Sequence, residues 1–499
     1  MGRKLLALLL GAFLLRMAIL PLFWHQPLNI VDEQHYSRLA ISILTRGEFA
    51  HFPGKPTAIR PPLYPVFLAG IYKIFGPKNY DAVRIIQIFL ALLSGCVVYS
   101  LTKKFFEKEN VALLACAIFL FYPSLLFFNY LILTETLFIF LFLLALWGLS
   151  LTIFNLSLET SAKYQQNKFQ IKDFRKRIYK SYLIPAGIFW GLASLTRSIL
   201  YPFIPAVSLF LFWITPRKRQ GLLVSLLFLL TAILTLSPWM VRNYRIFGHF
   251  VAVDTMGGLN LYMGNYEHTP LHRAWAAVEN PPEIAWYRGH EKELSGLNEA
   301  EKQRWAIKKA LEFIREHPGL TVVRSLIKIA NFWQLERTIV AGIQKNYFPK
   351  FQNKFLILAS TLSILVAYIA VVILGFNGLF WVIFYEKDFK EKNNSQKQLI
   401  KKSIKSKAVH LFLFLLIIYF TAIHGVVFGH SRYHLPLIPI LCIYTAYFLS
   451  SFKNIWKNKR YIFWKLCIPI FAIFLLFWSY DIFIGSREKI ETFTRHLFK

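Results

Sequence analysis

Residues 132–154 read ILTETLFIFLFLLALWGLSLTIF, twenty-three positions with a single ionisable side chain, Glu135. A helix crossing the ~30 Å hydrocarbon core of a bilayer needs about 20 predominantly apolar residues, so this run is long enough to span. Its one charge sits at an end. Working outward, comparable runs occur at roughly 5–24, 81–102, 110–129, 182–199, 200–215, 221–241, 354–384, 409–428, 434–451 and 462–484. The run at 110–129 is expected to break at Pro123, which cannot donate to a helix. The spacing predicts an all-α polytopic membrane protein with about eleven transmembrane helices and outward-facing juxtamembrane and interfacial helices. Composition agrees: 56% of the 499 residues are hydrophobic and 17% aromatic, and the mean hydropathy is +0.44. That is more apolar surface than a soluble domain can bury.

A net charge of +32 would suggest nucleic acid as the partner of a soluble protein. Here the basic residues sit mainly in short segments between apolar runs, so they report topology and no nucleic-acid partner is expected. With a cytoplasmic N-terminus, alternation places inside Lys103-Lys104, the Lys163 to Lys180 loop, Arg217-Lys218-Arg219, the Lys387 to Lys407 loop and Lys453 to Arg460. The same alternation places outside residues 25–80 and the long segment 242–353, which holds 11 of the 26 acidic residues. The organisation read from this is an N-terminal transmembrane catalytic module, 1–241, with its first outer loop at 25–80. An extracytoplasmic segment with interfacial helices follows at 242–353, then C-terminal transmembrane helices at 354–499 with a cytoplasmic basic loop at 385–408. The apolar run after Met1-Gly2-Arg3-Lys4 lacks a small-residue cleavage site and reads as a retained first span. Cys96, Cys116, Cys442 and Cys467 lie in apolar runs without metal-type spacing.

Chemistry concentrates beyond the first span. Asp32 and Glu33, in Val31-Asp32-Glu33-Gln34-His35-Tyr36, are adjacent carboxylates at an apolar boundary, where partial desolvation and mutual repulsion favour a general base. In the same loop Arg60-Pro61-Pro62-Leu63-Tyr64-Pro65 sets a guanidinium on a rigid mount. Arginine is the side chain suited to holding a phosphate bidentately. The stretch Val66 to Phe75 that follows is too short to span. Glu135, Arg197 and Arg432 recur at outer span ends, so with Asp32 and Arg60 they are expected to line one outward cavity, alongside His35, Tyr36, Tyr64 and His430. Each alone would pass for a snorkelling or ion-paired residue. Arg16, deep in the first span, needs a partner, for which a carboxylate at the cavity floor is expected.

Within 242–353, Asn298 and Glu301 have capping-box spacing and Trp305, Ile307, Leu311 and Ile314 form an apolar stripe, which predicts a helix over about 299–316. Pro318-Gly319 stops it. Leu320 to Trp333 carries Arg324 and Lys328 among apolar residues and reads as a helix in the interface plane.

At these residues the chain resembles the GT-C superfamily of membrane glycosyltransferases, in particular the branch with protein O-mannosyltransferases and lipid A aminoarabinose transferases. Asp32-Glu33, Arg60-Pro61-Pro62, Thr134-Glu135-Thr136-Leu137-Phe138, Pro238-Trp239-Met240-Val241-Arg242-Asn243-Tyr244 and Arg432-Tyr433-His434-Leu435-Pro436 carry the likeness in order along most of the chain. The resemblance implies that Asp32 is the base on the acceptor hydroxyl and that Glu33 orients the acceptor or the base. It further implies that Arg60 contacts the donor phosphate, with Arg432, Tyr433 and Arg197 near it. The implied activity is an inverting transfer of a sugar, hexosyl or pentosyl, from a polyprenyl-phosphate donor to a hydroxyl of a glycan, lipid or protein. The implied setting is the outer face of a bacterial plasma membrane. No cofactor is expected, although Asp32, Glu33 and His35 could hold a divalent cation, as oxygen-rich sites do in distantly related oligosaccharyltransferases. The competing classes are a flippase or transporter of lipid-linked sugars and a glycan ligase or polymerase using a diphosphate-linked donor. Ion-coupled carriers place ionisable groups near the bilayer midplane, whereas the charges here gather at one mouth.

Overall fold

The structure, a computed structural model, describes residues 2–162, 182–279, 281–351, 353–385, 396–485 and 487. The basic segment Lys163 to Lys180 lies outside the described residues, as do residues 387–395. The described chain is almost wholly helical, apart from a two-stranded antiparallel pair, Ala50–Phe52 with Lys55–Pro56. Among the described residues, eight helices are long and apolar enough to cross a membrane, and four shorter apolar ones accompany them. Three of the four, Glu109–Leu120, Leu183–Thr196 and Ser198–Ile214, occupy expected spans, and the fourth, Leu63–Phe75, is the stretch read as too short.

In chain order the helices are α1 (Arg3–Ile19), α2 (Val31–Arg46), α3 (Leu63–Phe75), α4 (Tyr80–Phe106), α5 (Glu109–Leu120), α6 (Pro123–Phe128) and α7 (Glu135–Ala162). After the segment that is not described come α8 (Leu183–Thr196), α9 (Ile204–Ile214) and α10 (Lys218–Phe247). The 242–353 segment folds as α11 (Met256–Met263), α12 (Glu299–Glu316), α13 (Pro318–Phe332) and α14 (Thr338–Gln344), with shorter turns between. The chain then returns to the bundle as α15 (Lys354–Phe380), α16 (Gln396–Val426) and α17 (Ile438–Tyr480).

The break at Pro123 occurs as expected and its backbone consequences shape the molecule. Residues 129–134 are irregular between α6 and α7, and polar backbone groups at membrane depth must find partners inside the protein. Arg84 of α4 donates to the Tyr130 carbonyl (3.1 Å), and Gln87 to the carbonyls of Asn129 (3.0 Å) and Leu131 (2.8 Å). The Ile132 N–H donates to Glu33 Oε1 (2.9 Å). Arg16 donates to Asn129 Oδ1 (2.9 Å) and to the carbonyls of Leu120 (2.8 Å) and Ala12 (3.1 Å). The carboxylate expected as its partner is not there. A guanidinium has five donors in a fixed fork, and these satisfy the carbonyl left open where α5 stops.

Helical hydrogen bonding runs through α17, yet the chain doubles back. The Phe448 and Phe463 rings lie 6.2 Å apart, and Phe452 and Phe463 5.8 Å. A straight helix would separate residues 448 and 463 by about 22 Å. Gly375 packs on Leu441 while its neighbour Phe376 packs on Phe474. The two expected spans therefore lie side by side against α15, joined at the basic segment Lys453 to Arg460.

α12 follows its sequence signature. Asn298 Oδ1 accepts from Ala300 and Glu301 N–H (3.0 and 3.1 Å) and Glu301 Oε2 accepts from Asn298 N–H (2.8 Å). α13 reverses the usual arrangement of a surface helix. Leu320, Val322, Val323 and Leu326 are exposed, whereas Arg324 and Lys328 are buried. Arg324 donates to the Tyr266 and Thr269 carbonyls, both at 2.9 Å, and Lys328 to Asn265 Oδ1 (2.9 Å) and the Val426 carbonyl (3.0 Å). Cations turned inward onto carbonyls and an apolar face turned outward suit a helix whose solvent is lipid.

Candidate active site

The first turn of α2 brings Asp32 and Glu33 to the positive end of a helix, which favours carboxylates. Successive helical residues point about 100° apart, so the two separate. Glu33 turns into the protein, where it is buried and accepts from the N–H groups of Ile30 (3.2 Å) and Ile132 (2.9 Å). It thereby ties α2 to the irregular strand of chain ahead of α7. Asp32 turns to the other side and meets two guanidiniums: Arg60 Nη2 lies 2.7 Å from Oδ1, and Arg432 Nη1 3.1 Å from Oδ2.

Arg60 is held by the loop before it. The Thr57 hydroxyl donates to Glu299 Oε1 (2.6 Å), Ala58 N–H to Glu299 Oε2 (2.8 Å), and Thr255 N–H to the Ala58 carbonyl (2.9 Å). Pro61 and Pro62 then lead into α3. The Arg60 guanidinium lies over the Tyr36 ring at 5.6 Å, a contact that favours the cation, and its Nε has no hydrogen-bond partner among the described residues.

Arg432 stands in the turn Ser431–Leu437, whose first N–H groups are capped by His430: Nδ1 accepts from Arg432 N–H at 3.1 Å. On its other side Arg432 bridges to Glu135, the first residue of α7, through Nε to Oε1 and Nη2 to Oε2 (3.3 Å). Arg197, at the end of α8, reaches Glu135 Oε1 at 3.1 Å and lies over the rings of Phe138 and Tyr433, each at 5.7 Å. Arg60, Asp32, Arg432, Glu135 and Arg197 therefore form one alternating chain of charges in which cations exceed anions by one. The Glu135 side chain is 1% exposed and that of Asp32 28%, so of these two carboxylates Asp32 is the one within reach of a bound molecule. Burial alone would raise the Asp32 carboxyl, but the guanidiniums of Arg60 and Arg432 hold it below the usual carboxylate range. Burial raises that of Glu33.

These residues face a cavity of about 500 Å³, within the ~300–1,000 Å³ typical of small-molecule sites. Asp32, Tyr36, Arg60, Arg197, Arg432 and Tyr433 line it. The remaining candidates do not. Glu135 lies buried behind the arginines, and Glu33 is occupied with backbone. Tyr64 is fully buried and donates to Gln87 Oε1 (3.0 Å). His430 is spent on the turn that carries Arg432. His35 stands behind Arg60, its Nδ1 3.4 Å from Nη2, with its ring 5.1 Å from that of His51. The expectation of a cavity lining is corrected for Glu135, Tyr64, His430 and His35, and Glu33 does not reach the acceptor side, by one cause: polar side chains at this depth are claimed by nearby backbone or charge.

Sequence reasoning missed the far wall. Asp254, Asn260 and Gln303 line the cavity from the 242–353 segment; no periodicity singles out the first two, and Gln303 sits as a lone polar residue on the stripe of α12. It also missed a buried knot behind Arg432. Glu336 accepts from Tyr122 Oη (2.9 Å) and from the Ser124 hydroxyl and shares a hydrogen bond with His434 Nε2 (3.0 Å), and His434 Nδ1 donates to the Phe332 carbonyl (2.7 Å). A histidine inside an Arg-Tyr-His-Leu-Pro motif was the available signal. A divalent cation does not fit Asp32, Glu33 and His35: both Asp32 oxygens face arginines and Glu33 points away. No group of three or more His, Cys, Asp or Glu that could hold a metal occurs among the described residues.

Fold and site together define a polytopic membrane protein with a carboxylate set between two arginines on the wall of one cavity. The family of dolichyl-phosphate-mannose-protein mannosyltransferases matches residues 59–157, the stretch that contains Arg60 and Glu135, and this bears out the resemblance read from the motifs. Among solved structures, the archaeal oligosaccharyltransferase AglB from Archaeoglobus fulgidus, in complex with an inhibitory peptide and a dolichol-phosphate, is similar at 14% identity and a TM-score of 0.49. That likeness covers 99% of this chain but 56% of the other, so the chain spans about half the length of that relative. ArnT from Cupriavidus metallidurans bound to undecaprenyl phosphate is similar at 12% identity and a TM-score of 0.38, covering 89% of this chain and 79% of that one. Comparison with curated proteins finds no match.

Proposed function

We propose that the chain is an inverting glycosyltransferase that moves a sugar from a polyprenyl-phosphate carrier to a hydroxyl acceptor on the extracytoplasmic face of the membrane. The observation that carries the reading is Asp32 set between Arg60 and Arg432 on the wall of one cavity. In the reaction the acceptor oxygen forms a bond to the anomeric carbon and gives its proton to Asp32. The bond from that carbon to the phosphate oxygen breaks, and its electron pair leaves with the phosphate. A phosphate leaving group needs cations and no proton, so one base and a set of arginines suffice. A single displacement inverts the anomeric centre.

The alternating charges add a step. Arg60 and Arg432 are engaged by Asp32, so an entering phosphate must draw them away from it. Each guanidinium that swings to the phosphate removes a cation from Asp32 and raises its proton affinity. Donor binding thereby converts a strongly ion-paired carboxylate into a base. Glu135, buried and bonded to Arg432 and Arg197, keeps both cations at the cavity while this exchange occurs.

Orientation is supported by the charge distribution. Lys103-Lys104, Arg217-Lys218-Arg219 and Lys453 to Arg460 lie at the helix ends away from the arginine cluster, as the positive-inside rule requires of the cytoplasmic side. In a bacterium the site then faces the periplasm. In this reading 1–241 carries the base, Arg60 and Arg197, 242–353 covers the cavity and 354–499 supplies Arg432. Transfer to a labelled acceptor, with NMR of the anomeric carbon in the product, tests the scheme; retention of configuration would exclude single displacement.

A further inference from the structure

The wall of the cavity opposite the spans is polar and comes from the 242–353 segment. α11 runs along it from Asp254, just before its first turn, to Gly264, which packs on the Val427 carbonyl. Asp254 lies beside the phosphate-seeking end of the cavity: its charge and that of Arg60 favour each other, and its Oδ1 accepts from Gly257 N–H at 3.1 Å. One turn further on, Asn260 also lines the cavity, and its Oδ1 has no hydrogen-bond partner among the described residues. Gln303 of α12 joins them because Gly258 permits it. A Cβ at Gly258 would fall 2.6 Å from Gln303 Cγ and 2.7 Å from its carbonyl oxygen, so only glycine lets the two helices close to this distance. Gly257, exposed and with nothing nearer than Asp254 Oδ1 at 3.9 Å from a Cβ position, leaves bare backbone between them.

We propose that Asp254, Asn260 and Gln303 form the subsite for the hydroxyl groups of the transferred sugar ring. The inference rests on the glycosyltransferase reading above and deepens it. Capping of α11 and a hydrogen bond with Ser198 engage Asp254, but they account for neither amide. A carboxylate accepts from hydroxyls, while each carboxamide both donates and accepts, so the three match a polyol better than an aliphatic chain or a second anion. Position separates donor from acceptor. A sugar is joined to its carrier phosphate through the anomeric oxygen, so its ring must lie next to the cation that holds the phosphate, and Asp254 neighbours Arg60. The apolar side of the same cavity, Phe420, Ile423, Val427 and Phe428, is left for the first isoprene units. Apolar wall, arginines and polar wall thus repeat the order of lipid, phosphate and sugar in the donor.

The test is equilibrium binding by the purified full chain in nanodiscs. The probes are undecaprenyl phosphate and undecaprenyl phosphates bearing mannose, glucose, galactose or arabinose. Wild type should bind at least one glycosylated lipid roughly tenfold or more tighter than undecaprenyl phosphate itself. Asn260→Ala and Gln303→Ala should lose most of that increment and bind the sugar-free lipid as wild type does. Asp254→Asn should follow them if the capped turn survives; the two amide variants keep the test decisive if it does not. No preference for any glycosylated lipid in wild type, or an increment retained in both amide variants, would overturn the subsite. A rise in acceptor KM with donor affinity unchanged would assign the wall to the acceptor and overturn the donor-sugar assignment. Arg60→Ala read against the sugar-free lipid tests the underlying reading separately, because failure there leaves the phosphate site, and not the sugar wall, without support.

Discussion

Two polar regions lie within a few turns of each other in this bundle, and they are built on opposite rules. Around residues 120–134, Arg16, Gln87 and Glu33 hydrogen-bond mainly to backbone, much of it freed by the broken span. Arg84 divides its guanidinium between the carbonyls of Tyr130 and Gln26 and the Asp81 carboxylate, away from the cavity. At the cavity, Asp32, Arg60, Arg432, Glu135 and Arg197 bind one another, with a cation in excess and Arg60 Nε unpartnered among the described residues. Ionisable residues at membrane depth are taken by default as functional. Here the partner decides: a charge satisfied by carbonyls holds the fold, whereas one satisfied by another charge at a cavity can exchange its partner for a ligand. Glu33 and Asp32, adjacent in sequence, fall on the two sides of this division.

The hardest test of the division is Asp32→Asn. General-base contributions are typically ~10²–10⁴-fold, and turnover should fall by that range or more while the variant folds and still binds undecaprenyl phosphate. Turnover near wild type would remove Asp32 from the chemistry and leave the cavity cluster as structural as the backbone one. Next in size, Arg60→Ala removes a charge-assisted contact to phosphate, a class of bond worth about 1.5–3 kcal/mol. Donor affinity should drop roughly 10–100-fold with acceptor KM little changed; equal losses in both would place Arg60 elsewhere.

How far these regions were legible in the sequence follows from the same division. The spans, the Pro123 break, the α12 cap and the convergence of Asp32, Arg60, Arg197, Glu135 and Arg432 follow from hydropathy, backbone chemistry and the depth of charges, all of which are local properties. Which of the polar residues face the cavity does not. Tyr64 and His430 sit in the same motifs as Arg60 and Arg432, yet one is consumed by Gln87 and the other by a turn, because their partners are brought from α4 and from the backbone by tertiary packing. Arg84 and Gln87 do announce themselves as polar residues in the apolar run 81–102, and reading them against the proline break would have located the carbonyls they serve. Asp254 and Asn260 carry no such mark, since a non-repetitive segment gives no face on which to place them; Gln303 falls one turn before Ile307 on the 299–316 stripe, but the stripe does not say which cavity that face meets.

Acid titration sharpens the comparison by a smaller effect. The depressed Asp32 carboxyl contributes stability that is present above its unfolded value near 3.9 and lost only as pH falls through the still lower folded value. Its ion pairs should therefore hold through mildly acidic pH. Once donor phosphate has drawn off Arg60 and Arg432 the carboxyl should titrate higher. The acid limb of kcat, which reports the donor-saturated enzyme, is expected at higher pH than the acid limb of kcat/KM for donor, which reports the free enzyme. Coincident limbs would show that the arginines stay on Asp32 throughout turnover.

The smallest expected effect on turnover probes the backbone-serving region through a residue whose motif looks catalytic. Tyr64→Phe removes a hydroxyl that donates to Gln87 Oε1 while Gln87 Nε2 serves the Asn129 and Leu131 carbonyls. The aromatic ring and its edge-on contact with Tyr36, at 5.2 Å, remain. The buried Gln87 Oε1 is left without its donor, a loss of about 1–3 kcal/mol, read as a drop in thermal midpoint, with kcat and donor affinity within about twofold of wild type because nothing facing the cavity has changed. A tenfold loss of turnover at an unaltered midpoint would mean that Tyr64 acts on the substrate after all. The hydrogen bond to Gln87 would then be one state of a side chain that also reaches the cavity, and the line drawn here between structural and exchangeable partners would have to pass through Tyr64 rather than beside it.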